Sequence, residues 1–425
     1  MRLLLTLFFI CSVFVITAQE KVQVVDGIFR TPLAGVGISF NEIGTTTDDG
    51  GFFTEERFSS LSEKDSLIFS YVGYITKVVP FSSFKKNKIV YLMPKSQSLS
   101  EVIVVGDRAD LQESVPFKEL ASLKDAVFAF GAVLVDNKIY VLGGDDSVRD
   151  EYHDYYVRQH NTNRLQVYDI KNNIWCFSDL RFSKRAYHNM HFYDGKIYIL
   201  GGKKLAKNPN LEYLNEEVEV YDIENDTIIT SKTNPHAAVN FASSIYEDNL
   251  IVMGGSIKKN LNGKKLTNKA HLFNLKTGYW YELDDMPYSK ETKSIVVDSI
   301  LYQMGGFSKC PIRYINAYNI STGEYKTERK LPLVMERPAL AYSDGIIYAF
   351  EHGLLFTYDI NSKEMYVYQI GLSLMYNEMV CKNGILYIMG GLDYSGNVKV
   401  PSGKLYSVDI DELQKTKSYF IPKFQ

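Results

Sequence analysis

The sequence predicts an all-β protein: a small N-terminal β-sandwich followed by a six-bladed β-propeller. Three observations carry this expectation. A two-residue turn centred on Asp or Asn and flanked by apolar runs recurs six times between residues 136 and 384. Such turns are the strongest short-range hairpin signal. Five of the six returning runs close on a glycine pair, which suits a sharp turn in a crowded place. Residues 21–105 hold about seven short strand-like runs separated by turns, a sandwich pattern. Composition agrees, since 31 Tyr and 24 Phe stand against 2 Trp in 425 residues, a bias toward strand formers. The net charge of −3 supplies no field toward nucleic acid or an anionic membrane, so neither partner is expected.

The chain opens on a targeting segment. Arg2 provides a basic start, Leu3 to Ile16 is nearly all apolar, and Ala18 offers a small residue at a cut. This reads as a signal peptide over 1–18 that leaves Gln19 first, so the protein is expected to be exported to the periplasm, the outer membrane or the medium. The apolar run is shorter than the ~20 residues a membrane span needs, and no later segment reads as a span. Cys11 follows Phe9 and Ile10, which are too bulky for a lipoprotein cleavage site. Three cysteines remain, Cys176, Cys310 and Cys381. They form neither a disulfide framework nor a CxxC zinc site, so no metal and no cofactor are expected.

Residues 19–105 form the first domain. Strands are expected over Val22–Val25, Gly35–Phe40, Phe52–Thr54, Leu67–Val72, Lys77–Val79, Ile89–Leu92 and Val102–Val105. The stretch from Gly44 to Gly51 is read as a turn in which Asp49-Gly50 supplies the positive φ. Pro32-Leu33-Ala34-Gly35-Val36, Gly44 to Gly50, Phe69 to Tyr74 and Leu99-Ser100-Glu101-Val102 together resemble the carboxypeptidase-regulatory-like domain of Bacteroidetes envelope proteins. That resemblance implies a transthyretin-like sandwich with no catalytic residues of its own. Glu101 to Val105 also resembles the segment that outer-membrane receptors offer to TonB, against the simpler reading of a last sandwich strand. The polar run 106–114 is read as a linker.

The propeller is expected over 115–425. Its turns are Asp136-Asn137, Asp194-Gly195, Asp248-Asn249, Asp298-Ser299, Asp344-Gly345 and Asn383-Gly384. Its glycine pairs are Gly143-Gly144, Gly201-Gly202, Gly254-Gly255, Gly305-Gly306 and Gly390-Gly391, while blade five departs with Phe350-Glu351-His352-Gly353. Third strands such as Val167-Tyr168-Asp169-Ile170 lead to fourth-strand rings seven residues on, Tyr168 to Trp175 and Phe273 to Trp280 among them. These should pack between blades. Phe117 to Asn137 spans 21 residues, as Trp175 to Gly195 does, so Phe117–Leu120 is expected to complete blade six in preference to Ser418–Ile421. The pattern resembles the kelch, galactose-oxidase-like repeat. The resemblance implies a fold shared by oxidases, mutarotases, glycan binders and protein-binding modules.

Strand order puts the second-to-third loops and the blade-to-blade connections on one face. The long loops there, Asp145–Arg164, Lys203–Glu217 and Ser256–Ala270, are charged, and the first carries Tyr152 and Tyr155. The connections ring the central opening. They make Arg185, His236, Lys290, Glu291, Arg337 and Glu378 candidate ligand-binding residues beside Tyr152 and Tyr155, and Glu336 with Arg337 the candidate catalytic pair. Arg185 and Arg337 also stand where such repeats use arginine structurally. A copper oxidase is not expected. His188 and His191 sit i, i+3 on one strand and so face opposite ways, and nothing else assembles the ligand set. The expectation is a non-catalytic, monomeric binding or scaffold protein for a carbohydrate or an envelope protein. The alternative is a carbohydrate-active enzyme such as a sialic-acid mutarotase.

Overall fold

A computed structural model of the chain describes residues 21–27, 32–41, 43–54, 58–71, 74, 76–85, 88–92, 111–149, 156–205, 212–231, 234–260, 263–395 and 399–421. The expected signal peptide, the TonB-like segment, and Tyr152 and Tyr155 lie outside these. The chain divides into two compact units, one within residues 1–105 and one within 106–425.

The first unit is a sandwich. One sheet has Lys21–Asp26 at its centre, antiparallel to Phe52–Thr54 and parallel to Ile89–Leu92. The other runs Ile43–Thr46, Gly37–Phe40, Ser66–Ser70, Lys77–Pro80. Alternation explains the packing: Val22 and Val24 point inward while Lys21 and Gln23 do not, and they meet Phe53, Leu67, Phe69 and Phe84 in one core. The strand Ile43–Thr46 was expected to be turn. Its β-branched threonines pair with Gly37–Phe40 instead. The turn is therefore shorter than expected, and its positive φ falls on Gly51, at +75°, not on Gly50. Asp48 sets this geometry by accepting the N–H groups of Gly50 at 3.0 Å and Phe52 at 2.8 Å.

The second unit is a six-bladed propeller. From the axis outward, blade one has strands Gly131–Val135, Lys138–Leu142, Arg164–Asp169 and Ile174–Arg181. Blades two, three and four repeat this, opening on innermost strands Ala186–Tyr193, Ala242–Tyr246 and Glu291–Val297. Blade five opens on Ala339–Ser343 and blade six on Glu378–Lys382. The inner hairpin turns fall where expected except in blade three. There the strands pair Tyr246 with Asn249, so the turn is Glu247-Asp248, one residue earlier. The Asp248 carboxylate faces out of it, bound by the Tyr193 hydroxyl and Lys276 at 2.6 Å each. Within their own blades Tyr168 lies on Trp175 with centroids 5.0 Å apart and Phe273 on Trp280 at 4.7 Å. These pairs pack between blades as expected, the first with Tyr387 and Leu405 of blade six and the second with Tyr198 and Leu200 of blade two.

The expected long loops of blades two and three are β-ribbons standing above the blades. Lys203–Leu205 pairs with Glu212–Leu214, and Ser256–Asn260 with Gly263–Leu266. In blade four the second and third strands run on to a tight turn at Lys309, whose φ is +64°.

Both chain ends take part in closing the ring. Lys118 and Glu119 pair with Ser407 and Tyr406, so the upstream segment completes blade six. Ser418–Ile421 is displaced one blade along and adds a fifth strand to blade five, pairing with Met365–Tyr368.

Candidate functional site

The blade-to-blade connections obey one rule. The carbonyls of Arg185, Ala238, Lys290 and Val127 each accept the N–H of the second glycine of a neighbouring pair, at 2.9, 2.8, 2.7 and 2.8 Å. Added side chains at those glycines would collide with backbone, which is why the pairs are needed. Two residues further along each connection come Tyr187, Asn240, Thr292 and Ala129. These form a chain of backbone hydrogen bonds around the opening. Ala129 donates to Tyr376 at 2.8 Å, Tyr187 to Ala129 at 2.6 Å, Asn240 to Tyr187 at 3.5 Å and Thr292 to Asn240 at 3.0 Å. Ala129, Tyr187, Asn240 and Tyr376 reach this geometry with φ of +52°, +60°, +53° and +52°, strain of a kind that accumulates at functional sites.

The ring breaks at blade five. Arg337 takes the equivalent place, but its N–H goes to the Glu351 carboxylate at 2.8 Å, and that of Glu336 goes to the other carboxylate oxygen at 3.0 Å. Glu351 belongs to the stretch that replaces the glycine pair in this blade, so the sequence irregularity and the broken ring are one feature. Burial pushes the Glu351 carboxyl up to about 7, although the two amides pull it down. Released from the ring pattern, the Arg337 guanidinium turns to the axis. It binds the buried Glu291 carboxylate, reaches Glu336 at 2.9 Å and lies over the Tyr376 ring at 5.2 Å.

Beside this cluster opens a cavity of about 630 Å3 lined by Leu266, Phe307 and Tyr376 on its apolar side and Ser289, Ser308, Lys309, Glu336 and Arg337 on its polar side. Below lies the axial channel, a cavity of about 320 Å3. There Lys293 of blade four meets Glu378 of blade six at 2.6 Å, and His191 bonds the Ser243 hydroxyl at 2.7 Å. Burial, with Lys293 adding to it, depresses His191 to about 4.

The expected site residues therefore divide. Glu336, Arg337 and Glu378 line the mouth and axial cavities, and the fully buried Glu291 reaches them through Arg337. Arg185, His236 and Lys290 do not. Arg185 is fully buried and ion-paired to Glu219 within blade two. His236 is wedged between the Gly254 carbonyl at 2.7 Å and His271 at 2.9 Å. Lys290 is fully buried on Asn316 at 2.7 Å beside Tyr288, and burial depresses its ammonium to about 7. Arg185 and Lys290 stand two residues before the ring and His236 four before it, and each turns into the blade that follows it, onto Glu219, Asn316 and Gly254. His188 and His191 face opposite ways as expected, His188 toward Gly131 of blade one. Sequence reading passed over Tyr187, Tyr376 and Glu351 as site residues, and only Glu351 carried a signal, the missing glycine pair. Among the described residues, no group of three or more His, Cys, Asp or Glu is placed to hold a metal ion.

Comparison with known proteins bears on the fold. A family model described as the KLHDC2/KLHL20/DRC7 kelch-repeats domain matches residues 128–350. Kelch-like protein 40 of Xenopus tropicalis is 26% identical over 183 residues, 42% of this chain and 26% of that protein. Kelch-like protein terF of Aspergillus terreus is 24% identical over 205 residues, 46% of this chain and 43% of that protein. The matches span less than half the length of these relatives. The solved structure of YjhT superposes with a TM-score of 0.53 at 12% identity, covering 67% of this chain and 95% of that one, a likeness of fold alone.

Proposed function

The chain belongs to the kelch-repeat family, and from that premise we propose that it is an exported, non-catalytic binding protein of the bacterial envelope that presents the loop face of its propeller to a glycan. The observation that carries this reading is the cavity beside Arg337. It sets the apolar faces of Phe307 and Tyr376 against the hydrogen-bonding groups of Glu336, Ser308 and Lys309, the pairing a sugar ring needs. The N-terminal sandwich, with its carboxypeptidase-regulatory-like motifs, is read as an accessory module. Among the described residues no helix is long and apolar enough to cross a membrane.

A glycan array read with the full chain tests the proposal. Glu336→Gln and Lys309→Ala are expected to weaken the best glycan at least tenfold while leaving the melting temperature unchanged, because both side chains are partly or fully exposed. Undiminished binding in both variants overturns this site. The mutarotase reading is favoured by one contact, the Glu336 carboxylate held 2.9 Å from the Arg337 guanidinium at the cavity wall. Acceleration of sialic-acid ring opening in an NMR assay, lost in Glu336→Gln, would replace the binding reading with it. Mass spectrometry of the mature protein should find Gln19 first, and retention of residues 1–18 would remove the export reading.

A further inference from the structure

Between the mouth cavity and the axial channel lies a third cavity of about 20 Å3, room for at least one water-sized guest. It shares Arg337 and Tyr376 with the mouth and His188, Asn189, Lys293 and Glu378 with the channel. Among the described residues, six carry a buried side-chain nitrogen with no hydrogen-bond partner: Arg185, His188, Asn215, Asn234, Arg337 and Asn377. Three of these six, His188, Arg337 and Asn377, line this one niche, and each is more than nine-tenths buried. The unpartnered atoms are Arg337 Nε, Asn377 Nδ2 and both ring nitrogens of His188. The Leu142 carbonyl approaches the His188 ring without making a hydrogen bond of normal geometry.

Leaving such groups unmatched costs about 1–3 kcal/mol each, so a cluster of them points to a guest. The arginine and asparagine nitrogens can only donate, and a neutral imidazole offers one donor. The guest must therefore accept hydrogen bonds. Lys293 and Arg337 line the niche as cations and Glu378 as an anion. Lys293 is paired with Glu378 and Arg337 with Glu291 and Glu336, so it is the unmatched donors and not a net charge that call for an acceptor. At His188 itself the nearby charges are cationic. Burial first, then Arg185 and Lys293, drives its pKa well below the usual value. We infer that the niche is a binding site for a monatomic anion of the chloride class, held by Arg337, Asn377 and His188 beneath the mouth of the propeller. The anion would take the free Nε of Arg337 while Glu291 and Glu336 hold its terminal nitrogens.

The test uses the full chain without any glycan, so its failure is distinguishable from failure of the binding proposal. Crystals grown with bromide in place of chloride should show an anomalous peak in contact with Arg337 Nε and Asn377 Nδ2. Peaks at surface lysines do not bear on the site, and a water-like peak with no anomalous signal there overturns the inference. In solution the melting temperature should rise saturably by a few degrees when chloride replaces gluconate at constant ionic strength. Asn377→Asp, which puts a carboxylate into the niche, should abolish that rise. Should that variant fail to fold, Asn377→Ser shortens the donor and gives the same comparison. An equal chloride response in wild type and variant overturns the inference.

Discussion

Glu351 does for blade five what a glycine pair does elsewhere, with a carboxylate in place of bare backbone. It holds the amides of Glu336 and Arg337 from a buried position, and burial, which pushes its carboxyl up to about 7, makes the arrangement pH-dependent. A carboxyl whose folded-state pKa is raised binds its proton more tightly in the folded chain. Stability then falls as pH rises from the ordinary carboxylate range to about 7 and is flat above it. The fall is on the order of 3 kcal/mol for a shift of this size. Glu351→Gln should remove that slope, and equilibrium denaturation between pH 4.5 and 8 would show it; an unchanged slope means another group carries it. The residue scale was only partly legible in the sequence. Residue type and position in a connection pointed to Glu291, Glu336 and Arg337. They could not separate these from Arg185 and Lys290, because the direction of a side chain changes over a single residue, as from Lys290 on Asn316 to Glu291 on Arg337. The backbone there is held by glycine N–H groups donated from another blade, which the residue type does not reveal.

At the scale of the element, the glycine pairs were plain in the sequence, and their role now has a cause. Gly202 has φ of +85°, and a Cβ there would stand 2.7 Å from the Ala186 carbonyl oxygen and 2.8 Å from His188 Cβ. Gly195, in the inner turn of the same blade, has φ of +73° but nothing within 4 Å. The two separate backbone strain from collision. Gly195→Ala should cost about 1 kcal/mol, the left-handed penalty alone. Gly202→Ala should cost roughly 3 kcal/mol or more, since backbone must move. Urea unfolding of both variants gives the comparison, and equal losses would mean that crowding at the pair is relieved without cost. The elements misread from sequence were those where long-range pairing decides. Ile43–Thr46 looked like turn because of Gly44, yet Gly37–Phe40 offers it an edge. The charged stretches of blades two and three looked like loops, yet they fold back on themselves as ribbons.

On the scale of the whole molecule, closure uses both ends of the chain at different blades. The 21-residue count identified Phe117–Leu120 correctly, since the spacing between a fourth-strand ring and the next inner turn is set by blade width. It was silent on Ser418–Ile421, whose partner strand lies in blade five, where no repeat position exists for it. The upstream segment runs across three blades: Val115 donates to Gln369 of blade five at 2.8 Å, Leu120 to Leu405 of blade six at 2.9 Å, and Trp175 of blade one donates to Ala121 at 2.8 Å. The downstream segment meets it where Gln112 donates to Lys415 and accepts from Lys417, each at 2.8 Å. The two ends thus carry unequal weight. A chain ending at Lys415 keeps six four-stranded blades and loses only a fifth strand with its few hydrogen bonds, roughly 3 kcal/mol at about 0.5–1 each net. It should melt several degrees lower but still in one transition. A chain beginning at Asp125 loses the outer strand of blade six, the bridge to blade one and the cover over Trp175, and leaves an open sheet edge. It should melt at least 10 °C lower, a loss of several kcal/mol for a domain this large, and should aggregate on heating. A chain beginning at Leu111 should match the full-length propeller transition in calorimetry. If the truncation at Lys415 proves the more damaging, the weight of closure rests on the fifth strand of blade five, and the upstream segment is dispensable.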